Sequence, residues 1–224
     1  MSITKIPLSV IMEWMCLIAS ILFIPKKLTQ SYWRMFIPYL ALVAVVETFS
    51  YLVGRVIDID LNKHYIYNSF LLVWSLFHLW IFAKIIPLKN IKAVCITIGF
   101  AIVVCYIVEW AYFDFTFYLY RTDTFIGGII VLLSVIYYIS LFKQDEYHDI
   151  LKDASFWFVT GCLIFYGTTT SINAFFEELV RIRIKGQVSL RYIIINIFNV
   201  IMYSCWIKSF LCLRNKKIYT QALS

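Results

Sequence analysis

Glu47, Tyr51 and Arg55 stand four residues apart in a stretch, VETFSYLVGR, that is otherwise mostly apolar. At helical spacing they form one stripe of carboxyl, phenol and guanidinium, and Gly54 lets a neighbouring helix approach closely. Such a stripe suits a small polar or cationic ligand, and a carboxyl paired with a second acid can also move protons. Glu13, Asn68, Glu109, Asn173, Glu177, Asn196 and Asn199 are further carboxyl and amide side chains set within or at the ends of apolar runs. An ionisable group at membrane depth costs roughly 2.5–3.5 kcal/mol even on a lenient insertion scale, so it faces a bundle interior or a watery cavity and marks function by default.

What must position these groups is a set of membrane helices. Hydrophobic residues make up 62% of the 224 and charged residues 15%, and the mean hydropathy of +0.82 exceeds what a soluble domain exposes. Seven apolar runs, 8–24, 35–54, 67–86, 93–112, 124–142, 156–176 and 192–211, each approach the roughly 20 helical residues that cross a bilayer. Lipid offers no partner to free backbone groups, and the runs lack the alternation of barrel strands. The expected fold is an all-α integral membrane protein, one seven-transmembrane-helix domain over 1–224 with no soluble domain. The first run is read as a retained helix, because Glu13 interrupts it and Pro25-Lys26-Lys27 replaces the small residues of a signal-peptide cleavage site.

Antiparallel threading places Glu13, Glu47, Tyr51, Arg55, Asn68, Glu109, Asn173, Glu177, Asn196 and Asn199 towards one side, as a polar, acid-containing recess. Twelve of the 20 lysines and arginines fall on the opposite side, which favours an outside N-terminus, a cytoplasmic C-terminus and a recess open to the extracytoplasmic face. Three loops with alternating patterns, 57–61, 113–121 and 180–191, share the recess side. They are expected to pair into a small β cap, with Asp58, Asp60 and Asp114 facing Arg181, Arg183 and Lys185. The alternative is that the sixth helix runs on, Glu177 pairing with Arg181 one turn later, while the loop aromatics form an interfacial belt.

The inventory argues against most enzymes. His78 is the one histidine within a run and no aspartate falls inside any, so neither a zinc hydrolase nor an aspartyl protease dyad is available. There is no Gly-x-Ser-x-Gly elbow and no phosphate-binding glycine loop. An acid pair of Glu47 with Glu13 or Glu109 stays open. His78 reads as a satisfied core histidine; Asp145, His148 and Asp149 share a helical face but read as a solvated cap, so no metal and no cofactor is expected. The six cysteines lie in or beside the runs without paired loop spacing and read as packing residues. Thr168 to Ser171 are expected to bond carbonyls of their own helix.

Two functions from different classes remain. One is a sensory, receptor-like ligand-binding module that signals through a separate cytoplasmic or membrane effector. The other is a small-solute or ion transporter, weakened because the first three runs do not repeat in the last three and the polar groups gather on one side. A lipid-binding or partner-binding scaffold is a third. Net charge +7 and the basic stretch Arg214-Asn215-Lys216-Lys217 suit anionic lipid and not nucleic acid.

The Glu-x-x-x-Tyr-x-x-Gly stripe of Glu47, Tyr51 and Gly54, the Phe- and Thr-rich run 156–176 and the asparagines of the last run resemble small, uncharacterised seven-helix membrane proteins of Bacteroidota. That resemblance spans most of the chain. It implies a bacterial inner membrane and carries no activity.

Overall fold

The computed structural model describes residues 7–25, 31–55, 63–113, 117–143, 149–175, 179, 182–184 and 188–222. Among them are seven long helices: α1 (Leu8–Phe23), α2 (Phe36–Arg55), α3 (Lys63–Ile85), α4 (Ile91–Phe113), α5 (Tyr120–Phe142), α6 (Ala154–Ala174) and α7 (Leu190–Ala222). Each apolar run thus forms a helix. Consecutive helices are neighbours throughout and α7 closes back on α1, giving a ring in which α6 and α7 pack most extensively.

Five segments are long and apolar enough to cross a membrane: Ser31–Val53, His64–Ile85, Ile91–Phe113, Tyr120–Phe142 and Leu190–Asn215. The protein therefore has the helices of a multi-pass membrane protein. Two of the seven expected spans fall short of that standard. Helix α1 has 16 residues, about 24 Å at 1.5 Å each, and α6 carries the threonine run that lowers its hydropathy. Many apolar side chains face outward, among them Leu22, Ile96, Phe100 and Leu132, each more than 60% exposed, as a hydrocarbon solvent permits.

The inward faces make a core of large rings. Phe36 lies with its ring centroid 5.1–5.8 Å from those of Trp33, Phe77, Phe158, Trp206 and Phe210, mostly edge to face, the arrangement that ring quadrupoles prefer. Thr160 and Thr168 of α6 return their hydroxyls to carbonyls four residues back and Thr169 to one three back, which hides polar atoms inside the helix that bears them. Asp153 caps α6, its carboxyl accepting from the Ser155 N–H and the Tyr137 hydroxyl.

Two expectations need correction. The loop 113–121 is not a strand at its described residues: Phe113 ends α4, Tyr120 and Arg121 begin α5, and Phe117 to Leu119 have no strand pairing. Each end of that alternating stretch instead extends a neighbouring helix. Arg183–Ile184 and Val188–Ser189 do pair antiparallel, two residues a side; the rest of the expected cap, including Asp58, Asp60, Asp114, Arg181 and Lys185, lies outside the described residues. The last helix also outruns the run 192–211, continuing to Ala222. Its 33 residues span about 50 Å, against a hydrocarbon core of about 30 Å.

Candidate functional site

At the start of helix α5 Leu119 and Thr122 are buried, and the first N–H groups of a helix have no partner within it. Here each is met from elsewhere. The Leu119 N–H donates to Oδ1 of Asn68 at 3.1 Å, and the Tyr120 N–H to the Tyr118 carbonyl at 2.8 Å. The Arg121 and Thr122 N–H groups donate to Oε1 and Oε2 of Glu109 at 3.1 and 2.7 Å. Asn68 also donates through Nδ2 to the Phe117 carbonyl at 2.8 Å. Asn68 and Glu109, two expected ligand-binding residues, are therefore the fittings by which α3 and α4 hold the start of α5. Asn68→Ala removes both amide bonds, so a loss of roughly 1–3 kcal/mol is expected. Amide exchange at Leu119 should quicken while the α2 amides keep their protection.

Beside this joint lies a second polar cluster. Asn173, at the end of α6, donates through Nδ2 to Asp123 Oδ2 at 3.4 Å and to Thr124 Oγ1 at 3.1 Å, and accepts at Oδ1 from Arg191 at 3.3 Å. Tyr118 hydrogen-bonds Asp123. Burial, with the Asp123 carboxyl beside it, pushes the Tyr118 phenol well above the ordinary tyrosine range. The expectation that no helix contains an aspartate is corrected here: α5 begins at Tyr120, not at 124, and Asp123 falls in its first turn. Glu177 lies outside the described residues.

The acids of the first two helices form a third group. Glu47 accepts at Oε2 from the Tyr67 hydroxyl of α3 at 3.1 Å, and Ser50 donates to the same tyrosine oxygen at 3.0 Å. Trp14 Nε1 donates to Thr48 Oγ1 at 3.0 Å and aligns α1 with α2, so that Glu13 comes within electrostatic reach of Glu47. Glu13 is 2% exposed, and its Oε2 has no hydrogen-bond partner among the described residues. Tyr203 of α7 is in electrostatic reach of both carboxyls. One turn earlier on α7, Asn199 Oδ1 is likewise buried without a partner among the described residues.

The remaining expected residues stand apart from this group. Tyr51 is half-buried one turn beyond Glu47, and Arg55 ends α2 with its side chain outside the described residues. Asn196 turns its Nδ2 to the carbonyl of Tyr192 at 2.8 Å. His78 sits fully buried, Nδ1 2.7 Å from the Trp74 carbonyl and Nε2 3.3 Å from the Tyr166 hydroxyl. A carbonyl only accepts, so Nδ1 carries a proton; in the tautomer with one ring proton, Nε2 accepts from Tyr166. Asp145 and His148 lie outside the described residues, while Asp149 pairs with Lys152 at 2.8 Å on the surface.

Comparison with known families, curated proteins and solved structures finds no match. The chemistry is thus read from the three groups alone. In two of them, the α5 joint and the Asn173 cluster, the acids and amides bond backbone or neighbouring side chains. The Glu13–Glu47 group has two acids, a phenol and a hydroxyl from three helices, and one carboxyl oxygen left over. Its partners Tyr67, Ser50 and Tyr203 were not singled out in the sequence, where a tyrosine or serine in an apolar run is common. The signal was the position of Tyr67 beside Asn68, at the same depth as Glu47.

Proposed function

We propose that the protein is a seven-helix, sensory-type ligand-binding module of a bacterial inner membrane. Its N-terminus is outside and its C-terminus cytoplasmic, and Glu13 and Glu47 together recognise a small cationic ligand. The observation that carries this reading is Oε2 of Glu13, without a hydrogen-bond partner among the described residues, almost wholly buried and within electrostatic reach of a second carboxyl. Buried polar atoms are normally satisfied. Two acids in a medium of low dielectric are stabilised by a cation that takes the free oxygens. Tyr67 and Ser50 orient Glu47, which leaves Glu13 to make the variable contact.

The path outward is α7. It bears Tyr203 and Asn199 near the acids and continues as one helix well past the length that a bilayer requires. Near its far end the Arg214 guanidinium lies 5.4 Å from the Phe23 ring centroid, so α7 and the end of α1 shift together. A ligand that binds one arrangement of these helices better than another shifts the population by its differential affinity, and a separate effector reads the cytoplasmic end.

The test is calorimetric titration of the purified protein with methylammonium, tetramethylammonium and sodium. At least one cation is expected to bind, and Glu13→Gln and Glu47→Gln to weaken it tenfold or more with melting temperatures preserved. Unchanged affinity in both variants removes the acid pair from recognition. Accumulation of the bound cation in proteoliposomes would make the protein a transporter instead.

A further inference from the structure

A second site lies on the outer surface, where α4 meets α5. The end of α4 and the start of α5 expose Trp110, Tyr112, Phe113, Phe117 and Tyr120, from 43% to 81% each. Aromatic side chains gathered at one level mark the boundary between headgroups and hydrocarbon. At that level the two helices leave a groove of about 510 Å³, within the range of roughly 300–1,000 Å³ that holds small ligands. Cys105, Val108 and Tyr112 wall it from α4, three and four residues apart, and Phe125 faces them one turn after Arg121 on α5. Both walls run from the aromatic level towards the bundle's middle, so the groove is mostly apolar, with Arg121 at one end and Glu109 and Thr122 as its other polar lining.

The Arg121 guanidinium lies 4.8 Å from the Phe113 ring centroid and 5.8 Å from that of Tyr120, and Nε donates to the Tyr120 hydroxyl at 3.3 Å. The rings hold the cation at the groove's mouth, where it stands exposed. Among the described residues no carboxylate comes within ion-pair distance of it. Glu109, the acid lining the groove, has both oxygens engaged by the N–H groups of Arg121 and Thr122. It answers the partial positive charge of the α5 start, and the Arg121 side chain remains as the feature that attracts an anion.

We propose that this groove is a binding site for one anionic phospholipid, its headgroup phosphate on Arg121 and an acyl chain lying along Val108, Cys105 and Phe125. Charge complementarity selects the headgroup, and the apolar walls accept the chain. The site is separate from the Glu13–Glu47 group, and either can fail without the other.

Native mass spectrometry of the full chain, released from micelles holding equal phosphatidylglycerol and phosphatidylcholine of the same acyl chains, tests it. Wild type should retain one phosphatidylglycerol at least fivefold over phosphatidylcholine. Arg121→Gln should drop that preference to parity, Arg121→Lys should keep part of it, and Lys89→Gln, which removes another exposed cation, should keep it all. Val108→Trp, filling the groove, should reduce retention of both lipids. A preference that survives Arg121→Gln, or parity in wild type, overturns the site; displacement by millimolar inorganic phosphate alone would reduce it to a phosphate contact and overturn the acyl-chain half.

Discussion

Glu109→Ala is expected to lower the unfolding free energy by about 3–6 kcal/mol, the loss of two hydrogen bonds to a carboxyl group at roughly 1.5–3 kcal/mol each. The figure is large because nothing else is placed to accept those donors. Leu119, at the cap position, offers no side-chain bond, and among the described residues the Arg121 and Thr122 N–H groups donate to Glu109. In an apolar surrounding an orphaned N–H finds little water to replace the carboxyl. Glu109→Gln keeps one acceptor oxygen and sets an NH₂ against the other N–H, so about half the loss should return. Unfolding by SDS in mixed micelles, followed by far-ultraviolet circular dichroism, measures both. Equal losses for the two variants would mean that the carboxyl acts through charge and not as a twin acceptor; a loss below about 1 kcal/mol would mean that the start of α5 is held by other contacts.

That cap shows where the sequence stops being readable. A run of twenty apolar residues announces a helix by composition alone, and all seven runs are helices. Their ends were harder. Asp123 reads as outside its helix because the apolar run begins after it, yet Tyr120 to Asp123 form the first turn, with acceptors supplied by Asn68, 51 residues from Leu119, and by Glu109, 12 and 13 residues from Arg121 and Thr122. Local spacing carries no trace of such partners. Asn68 and Glu109 show the same limit: a polar group at membrane depth signals a buried partner, and the partners that the structure shows for these two are backbone groups.

The stripe of Glu47, Tyr51 and Arg55 teaches the complementary lesson. Helical spacing puts the three on one face of α2, but Glu47 accepts a hydrogen bond from Tyr67 on α3, and the acid within electrostatic reach of it is Glu13 on α1. Periodicity along one helix says which residues share a face, and the ring of helices decides which neighbour that face meets. Alternation misled for a related reason. In 113–121 the described residues of the period-two pattern lie at helix ends, Phe113 closing α4 and Tyr120 and Arg121 opening α5, whereas Arg183–Ile184 and Val188–Ser189 form a real, two-residue ladder.

Gly161→Leu should be the most damaging single change on the α6–α7 face, costing about 3 kcal/mol or more, at or above the top of the usual range for overpacking a filled core. A Cβ built at Gly161 would stand 3.1 Å from Cys205 Cβ, 3.1 Å from the Met202 carbonyl oxygen and 3.2 Å from Trp206 Cδ1. Two of those atoms belong to or adjoin backbone and cannot swing aside, so even alanine must push α7 outward. Trp206 then loses its place among Phe36, Phe158 and His78, and the strain passes along α7 to Tyr203, one turn away, beside the acids. Two nearby glycines separate this packing effect from helix propensity. At Gly167 the nearest foreign atom is Val131 Cγ2 at 3.9 Å, and at Gly128 nothing stands within 4 Å. Alanine at either should be neutral or should stabilise by up to about 1 kcal/mol through its better helix propensity. Thermal unfolding in micelles is expected to rank Gly128→Ala and Gly167→Ala at or above wild type, Gly161→Ala below it and Gly161→Leu lowest. If Gly161→Ala melts with the two controls, α6 and α7 are not held as closely as this, and a ligand signal passing down α7 would lose the rigid seat from which it starts.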